Sequence, residues 1–316
     1  MDRNDVSWQG YWAACPTPFA ADESLDTDLL RELLEFYVGE GLHGVLVNGT
    51  TGEWFAQTGA ERRLVAETAI DQVAGRIPVV IGCTGYTSKE AAELARHAVA
   101  AGADGIESSP PAYSKPLPDE VVEYYADIAR AVDAPLMVYN WPHGTAVDIG
   151  PELALRLAAI DTIVALKDST PNLEQFYETT RVVVDRLRVF GPFMTSEGLD
   201  RLVEIGGDGY IGGGSLFGAP DAAFWESHWR GDLEACRAHA RRVDELHARL
   251  WLPGGWAGVY GGYQSQLKAI MKLLDQPGGE PRRPRLPVAD ERSLEAIRQI
   301  LVDAALLPEP AGERVC

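Results

Sequence analysis

Short apolar runs and longer amphipathic segments alternate through the first two-thirds of the chain. The runs are Tyr11–Cys15, Gly44–Asn48, Pro78–Gly82, Asp104–Ser108, Pro135–Tyr139, Thr162–Lys167, Leu187–Gly191 and Asp208–Gly212. Most are continuously apolar rather than alternating, the pattern of parallel strands covered on both faces. Each predicts one strand. The segments between them carry helix-start chemistry. Thr58-x-x-Glu61 and Thr87-x-x-Glu90 have the form of capping boxes, in which two side chains satisfy first-turn amides. Pro151 and Pro171 suit a first helical turn, where the missing N–H costs nothing. Asp26 or Thr27 is placed to cap a helix over Leu29–Val38.

One turn recurs. Gly41-Leu-His-Gly44, Gly102-Ala-Asp-Gly105 and Gly206-Gly-Asp-Gly209 each come after an amphipathic segment and lead into an apolar run. A glycine there closes a helix in the left-handed region at no steric cost. Eight strands alternating with helices predict an α/β fold, a closed (β/α)8 TIM barrel rather than an open doubly wound sheet. Beyond residue 220 the pattern is helical: Ala222–Trp229, Leu233–Trp251, Gln264–Leu274 and, after the Pro/Gly-rich link Pro277–Pro287, a last helix around Glu291–Leu306. The expected division is a barrel over 1–220 and a C-terminal helical region over 221–316 packed on it.

Composition narrows the function. No run of about 18 apolar residues is present to span a bilayer, so no membrane partner is expected. Met1–Asp5 is polar and lacks the apolar stretch of a signal peptide, so the expectation is a cytoplasmic enzyme. A net charge of −19 argues against nucleic acid, whose phosphates need clustered Lys and Arg. Cys15, Cys83, Cys236 and Cys316 form no CxxC pair, and the six histidines have no HxxxH or HxH spacing. No metal site and no cofactor are expected.

In a barrel the chemistry gathers at the C-terminal strand ends. Of five lysines, only Lys167 closes an apolar strand. An amine in apolar surroundings loses solvation of its charged form and becomes nucleophilic toward a carbonyl. A lysine marking a strand end with its head in solvent fits the position equally well. Tyr139 ends the neighbouring strand, within range of moving protons at the same carbonyl, or serves as a core tyrosine. Gly49-Thr50-Thr51-Gly52-Glu53 offers hydroxyls and amides for a carboxylate, although Gly/Thr loops are also ordinary connectors. Tyr113 comes after the stiff pair Pro110-Pro111 in a loop, where a surface role is the plain alternative. Gly212-Gly213-Gly214-Ser215 would admit a carboxylate or phosphate at backbone amides, or simply allow tight packing.

With these residues located, the sequence resembles the dihydrodipicolinate synthase / N-acetylneuraminate lyase family of class I aldolases. The markers are Thr17-Pro18-Phe19, Gly49-Thr50-Thr51-Gly52-Glu53, Glu61-Arg62, Gly102-Ala103-Asp104, Pro111-Ala112-Tyr113, Tyr139-Asn140-Trp141-Pro142 and Lys167-Asp168-Ser169. The resemblance implies a homotetrameric barrel in which Lys167 forms a Schiff base with pyruvate or another 2-oxo acid. Tyr139 would be the acid/base phenol, and Thr50 would link it to Tyr113, which commonly reaches a neighbouring subunit's site. Thr50 and Thr51, with Gly49 beside them, would hold the substrate carboxylate, and the Ile211 backbone would border the pocket.

One departure matters. Synthases that use aspartate semialdehyde resemble YNxPxRTG at the fifth strand, whereas this chain reads Tyr139-Asn140-Trp141-Pro142-His143-Gly144-Thr145-Ala146. Glycine cannot replace a bidentate arginine–carboxylate contact, so Gly144 disfavours 4-hydroxy-tetrahydrodipicolinate synthase. The leading expectation is a lyase acting on a 2-oxo acid and an aldehyde, with His143 available to a hydroxylated substrate. A dehydratase or hydratase of a 2-keto-3-deoxy acid through the same imine is the nearest rival. A non-catalytic 2-oxo acid sensor and a phosphate-binding barrel enzyme are more distant ones.

Overall fold

In the computed structural model, which describes residues 1–213 and 218–308, eight parallel strands pair in chain order and close on themselves. They are β1 (Gly10–Ala14), β2 (Gly44–Val47), β3 (Val79–Gly82), β4 (Gly105–Ser108), β5 (Leu136–Asn140), β6 (Ile163–Asp168), β7 (Arg188–Phe190) and β8 (Gly209–Gly213). The architecture is a TIM barrel. Every apolar run becomes a strand, with no end displaced by more than one residue. Closure runs along β1 and β8 from Gly10 opposite Gly209 to Ala14 opposite Gly213.

Continuous apolarity arises from the period of two. One buried set, Trp12, Ala14, Leu46, Val80, Met137, Ala165 and Phe190 among it, fills the barrel interior. The alternate positions, such as Val45, Ile81, Ile106, Val138 and Val189, pack beneath the helices. Neither face meets water, so neither face is polar.

The recurring glycine turn does more than end helices. Gly41, Gly102 and Gly206 have φ of +74°, +99° and +82°. In all three copies the third residue also clamps the preceding strand. Asp104 Oδ2 accepts from the Val79 amide at 2.8 Å, Asp208 Oδ2 from Val189 at 2.9 Å, and His43 Nδ1 from Tyr11 at 3.2 Å. Each of these residues returns its own amide to the same strand's carbonyl. The turn therefore sets strand register at the base of the barrel.

Two helix starts differ from expectation. Thr58 and Glu61 form a complete capping box, but Thr87 makes only half of one. Its hydroxyl accepts from Glu90 N, while the Glu90 carboxylate turns to the Tyr86 amide at 3.0 Å. Pro151 opens its helix as expected; Pro171 instead precedes the cap Asn172, and its ring is left to line the barrel mouth. Asp26, rather than Thr27, caps the first long helix through Leu29 N at 2.9 Å.

Helices Ala219–Trp229, Leu233–Leu250, Tyr263–Leu273 and Glu291–Asp303 complete the described chain. The first packs on β1, the second on the first, and the last bridges the second and third. Lys268 of the third reaches back to the β2 loop. Its Nζ lies 2.7 Å from Glu53 Oε1 and donates to the Thr17 and Glu280 carbonyls. No described helix is long and apolar enough to cross a membrane.

Candidate active site

Above the C-terminal ends of the strands lies a cavity of about 570 Å³. Its floor and walls include Thr50 and Thr51 after β2, Tyr139 of β5, Lys167 of β6 and Ile211 of β8. The third C-terminal helix adds Tyr263 and Gln264, and the chain after the second adds Trp251 and Trp256.

Parity decides what points inward. Tyr139 pairs with Lys167 in the β5–β6 ladder, one layer above Met137 and Ala165. Since Met137 and Ala165 are interior residues, so are Tyr139 and Lys167. The Lys167 Nζ lies 3.8 Å from the centre of the Tyr139 ring. The side chain is buried, with 7% of the residue exposed. Among the described residues no carboxylate lies within ion-pair distance of this nitrogen. Burial lowers the amine's pKa from its ordinary value, and the negative charge of Glu107 opposes that shift. Of the two lysines buried among the described residues, this one stands unpaired in a cavity.

The Tyr139 phenol is raised in pKa by burial, and a hydrogen bond with Ser169 pulls the other way. Thr50 meets the rest of the site through its carbonyl, which accepts from Gln264 Nε2 at 2.9 Å and from Glu53 N. Burial raises the pKa of the Tyr263 phenol, and the nearby Thr51 lowers it in part. The Tyr139 phenol is near Ser169, one residue past β6, and no Tyr139–Thr50 hydrogen bond occurs among the described residues of this single chain.

The adjoining residues Asn140 and Asp168 hold Lys167 and Tyr139 in place. Asn140 donates to Asp168 Oδ1 at 2.9 Å and to Asp148 Oδ1 at 3.0 Å, while its own oxygen accepts from Ile149 N. Asp168 Oδ1 also accepts from the Thr170 amide. This ladder ties the ends of β5 and β6 together. Burial pushes the Asp168 carboxyl up to about 7, against the pull of those two donors.

The remaining expected residues fall elsewhere. Tyr113 is 95% exposed, with φ of +74°, on the loop after β4 and outside the cavity wall. His143 is exposed, its ring 6.2 Å from that of Trp256, and Gly49 is buried behind Thr50. In the glycine run, a Cβ on Gly212 would meet the Tyr11 hydroxyl at 2.6 Å, and one on Gly213 the Tyr263 hydroxyl at 2.3 Å. These two glycines admit tyrosines, so tight packing accounts for them; Gly214 and Ser215 lie outside the described residues. Gly144 is likewise explained by a neighbour. A Cβ there would lie 1.8 Å from Trp141 Cζ3, because the indole occupies that space, stacked on Tyr139 at 6.4 Å and 10°.

Sequence reasoning missed Glu107, Ser169, Tyr263 and the Asn140–Asp168 ladder. Only Glu107 carried a usable signal. It is an acid at the inward parity of an otherwise apolar strand.

A family description, "Dihydrodipicolinate synthetase family", matches residues 7–303. The chain belongs to that family. It is an enzyme, a lyase of the dihydrodipicolinate synthetase type. An uncharacterized DapA-like lyase of Rhizobium meliloti is 34% identical over 94% of this chain and 96% of the relative. A 4-hydroxy-tetrahydrodipicolinate synthase of Syntrophobacter fumaroxidans is 35% identical over 93% and 98%. Among solved structures, YagE, a prophage protein of E. coli K12 in complex with pyruvate, superposes with a TM-score of 0.85 at 25% identity, covering 96% of this chain and all of that one.

Proposed function

We propose that this enzyme binds pyruvate or a related 2-oxo acid as an imine on Lys167 and makes or breaks a carbon–carbon bond to an aldehyde. The observation that carries the reading is the Lys167 amine, buried in the cavity without a carboxylate against it. Desolvation increases the neutral fraction of such an amine at physiological pH, and only the neutral form attacks. Its lone pair adds to C2, one proton is taken up, and the carbonyl oxygen leaves as water. The Tyr139 phenol, beside the nitrogen, moves those protons. The hydroxyls and amides of Thr50 and Thr51 receive the substrate carboxylate, with the Ile211 backbone across the cavity. The resulting iminium draws electrons from the adjacent carbon–carbon bond, or stabilises the enamine that attacks an aldehyde.

A dehydratase would share every step up to the iminium. The Trp141–Gly144 arrangement favours the aldehyde lyase over 4-hydroxy-tetrahydrodipicolinate synthase, because no guanidinium stands at 144 and an indole fills its place. Tyr113 belongs to this reading through a second copy. A tyrosine so exposed, outside the wall of its own cavity, fits a homotetramer in which it completes a partner's proton path. No cofactor is needed.

Borohydride reduction in the presence of pyruvate, with mass mapping of the product, tests the proposal. The expected adduct is on Lys167 and disappears in Lys167→Ala. An adduct on another lysine, or none with any 2-oxo acid, overturns it.

A further inference from the structure

The barrel interior holds one carboxylate that the proposed chemistry does not use. Glu107 sits on β4 opposite Met137, one layer below Tyr139 and Lys167, and is 1% exposed. Its interior neighbours are apolar: Leu46, Val80, Met137, Ala165 and Phe190 belong to the same buried layer structure. Glu107 Oε1 is fully buried and makes no hydrogen bond. Such an atom is destabilising unless a charge compensates it. A purely structural residue here would be a leucine or methionine, as at the neighbouring strands.

We propose that Glu107 is the counter-ion of Lys167, a positioning residue that holds positive charge on the lysine nitrogen as ammonium and then as iminium. The inference rests on the Schiff-base reading for its second half only. Condensation of a neutral amine with a ketone takes up one proton and releases one water, so the product carries a fixed positive charge where the amine was neutral. In an apolar barrel that charge needs a nearby anion, and fixed anions are more effective there than in water. The titratable groups that interact electrostatically with Glu107 are Lys167 of β6 and Tyr139 of β5 and, from the helix side of the wall, Arg62 of the Gly59–Val73 helix, Cys83 after β3, and Tyr124 and Tyr125 of the Pro118–Ala131 helix. Lys167 and Arg62 alone are cationic. Arg62 is fixed by donating to the Thr84 and Gly82 carbonyls at 2.9 and 3.1 Å, and its charge acts on Glu107 less strongly than that of Lys167.

Burial raises the carboxyl and lowers the amine, and each opposes the other's shift, so the two titrate as a pair near neutrality. The pair is set apart rather than bonded. An ammonium clamped at contact distance would be held protonated; one in the field of a carboxylate a layer below can still lose its proton and attack.

The test is the pH profile of Lys167 acetylation by dilute acetic anhydride, read by peptide mass mapping with exposed Lys89 as internal reference. In Glu107→Gln the midpoint for Lys167 should fall by about one pH unit or more, because the charge that favours the ammonium is gone. Glu107→Leu, which suits the apolar layer, should show the same shift, and Glu107→Asp should restore part of the parent profile. An unmoved midpoint in a folded Gln or Leu variant overturns the proposal. With pyruvate and borohydride at a pH above both midpoints, where the free amine is neutral in parent and variant alike, the Gln and Leu variants should need at least about tenfold more pyruvate for half-maximal trapping. A parent enzyme that is never trapped sinks the imine reading, whereas a parent that is trapped and variants that match it sink the counter-ion role.

Discussion

Replacing Gly144 by alanine should destabilise the protein only while Trp141 is present. The added Cβ would lie 1.8 Å from Cζ3 and 2.0 Å from Cε3 of the indole. Ordinary carbon contacts are about 3.5–4.0 Å, so the ring must retreat by roughly 2 Å. It then loses its parallel stack on Tyr139. Overpacking of this kind costs about 1–3 kcal/mol. Position 144 lies in the helical turn Pro142–Thr145, where alanine is preferred over glycine by up to about 1 kcal/mol. The net expectation for Gly144→Ala is a loss of up to about 2 kcal/mol. In a Trp141→Ala background the clash is gone and only the helical preference remains, so the sign should reverse. Urea unfolding of the four proteins in a double-mutant cycle measures both values. Equal effects in the two backgrounds would refute the argument. They would also remove the structural reason given for the glycine, the indole's occupation of the space, while the lack of a guanidinium at 144 would stand.

Buried charge leads to two other predictions. Lys268→Met leaves Glu53, which is 0% exposed, without its cation and should cost about 3–5 kcal/mol, most of it recovered in Glu53→Gln/Lys268→Met; a single variant within about 1 kcal/mol of the parent in chemical denaturation would contradict this. Asp168 has a folded pKa of about 7 against an ordinary 3.8, so the folded state binds the extra proton and this group's contribution to stability falls as pH rises from 4 to 7. Asp168→Asn cannot titrate, and relative to the parent it should gain up to about 3 kcal/mol between pH 5 and pH 8. A pH-independent difference between the two proteins would show that burial does not hold this carboxyl protonated.

The strands were legible because a parallel barrel strand has no polar face to interrupt its apolar run. The placement of Lys167 and Tyr139 at the cavity was legible because polar residues at the ends of such runs stand out. What stayed hidden depended on direction or on distance along the chain. Pro171 looks like a first-turn proline until Asn172 takes the cap. Thr87-x-x-Glu90 has the right spacing, but the Tyr86 amide competes for the glutamate. Tyr263 reaches Thr51 from the far end of the chain, and no local pattern marks that return. Gly144 reads as a missing arginine in sequence; in space it is the room required by Trp141.

Lys167 and Lys268 show why burial alone does not make a lysine reactive. Both lose solvation inside the protein, and both pKa values are lowered by it. Lys268 spends its three donors on Glu53 and on the carbonyls of Thr17 and Glu280, all at 2.7–2.8 Å. Every N–H is engaged by an acceptor that favours the ammonium, so its lone pair is never free. It pins the loop carrying Thr50 and Thr51 to the C-terminal helices. Lys167 has an open cavity above it, a phenol ring beside it and a carboxylate one layer below that does not touch it. In the proposed reading the same side chain is thus a fastening in one place and a nucleophile in the other, and the difference lies in the distance to its anion. Moving a carboxylate close to Lys167, as Ala165→Asp would from the layer beneath it on β6, should slow imine trapping at neutral pH while leaving Tyr139 in place. Undiminished trapping in that variant, at neutral pH and with the fold intact, would mean that separation from the anion is not what frees this amine.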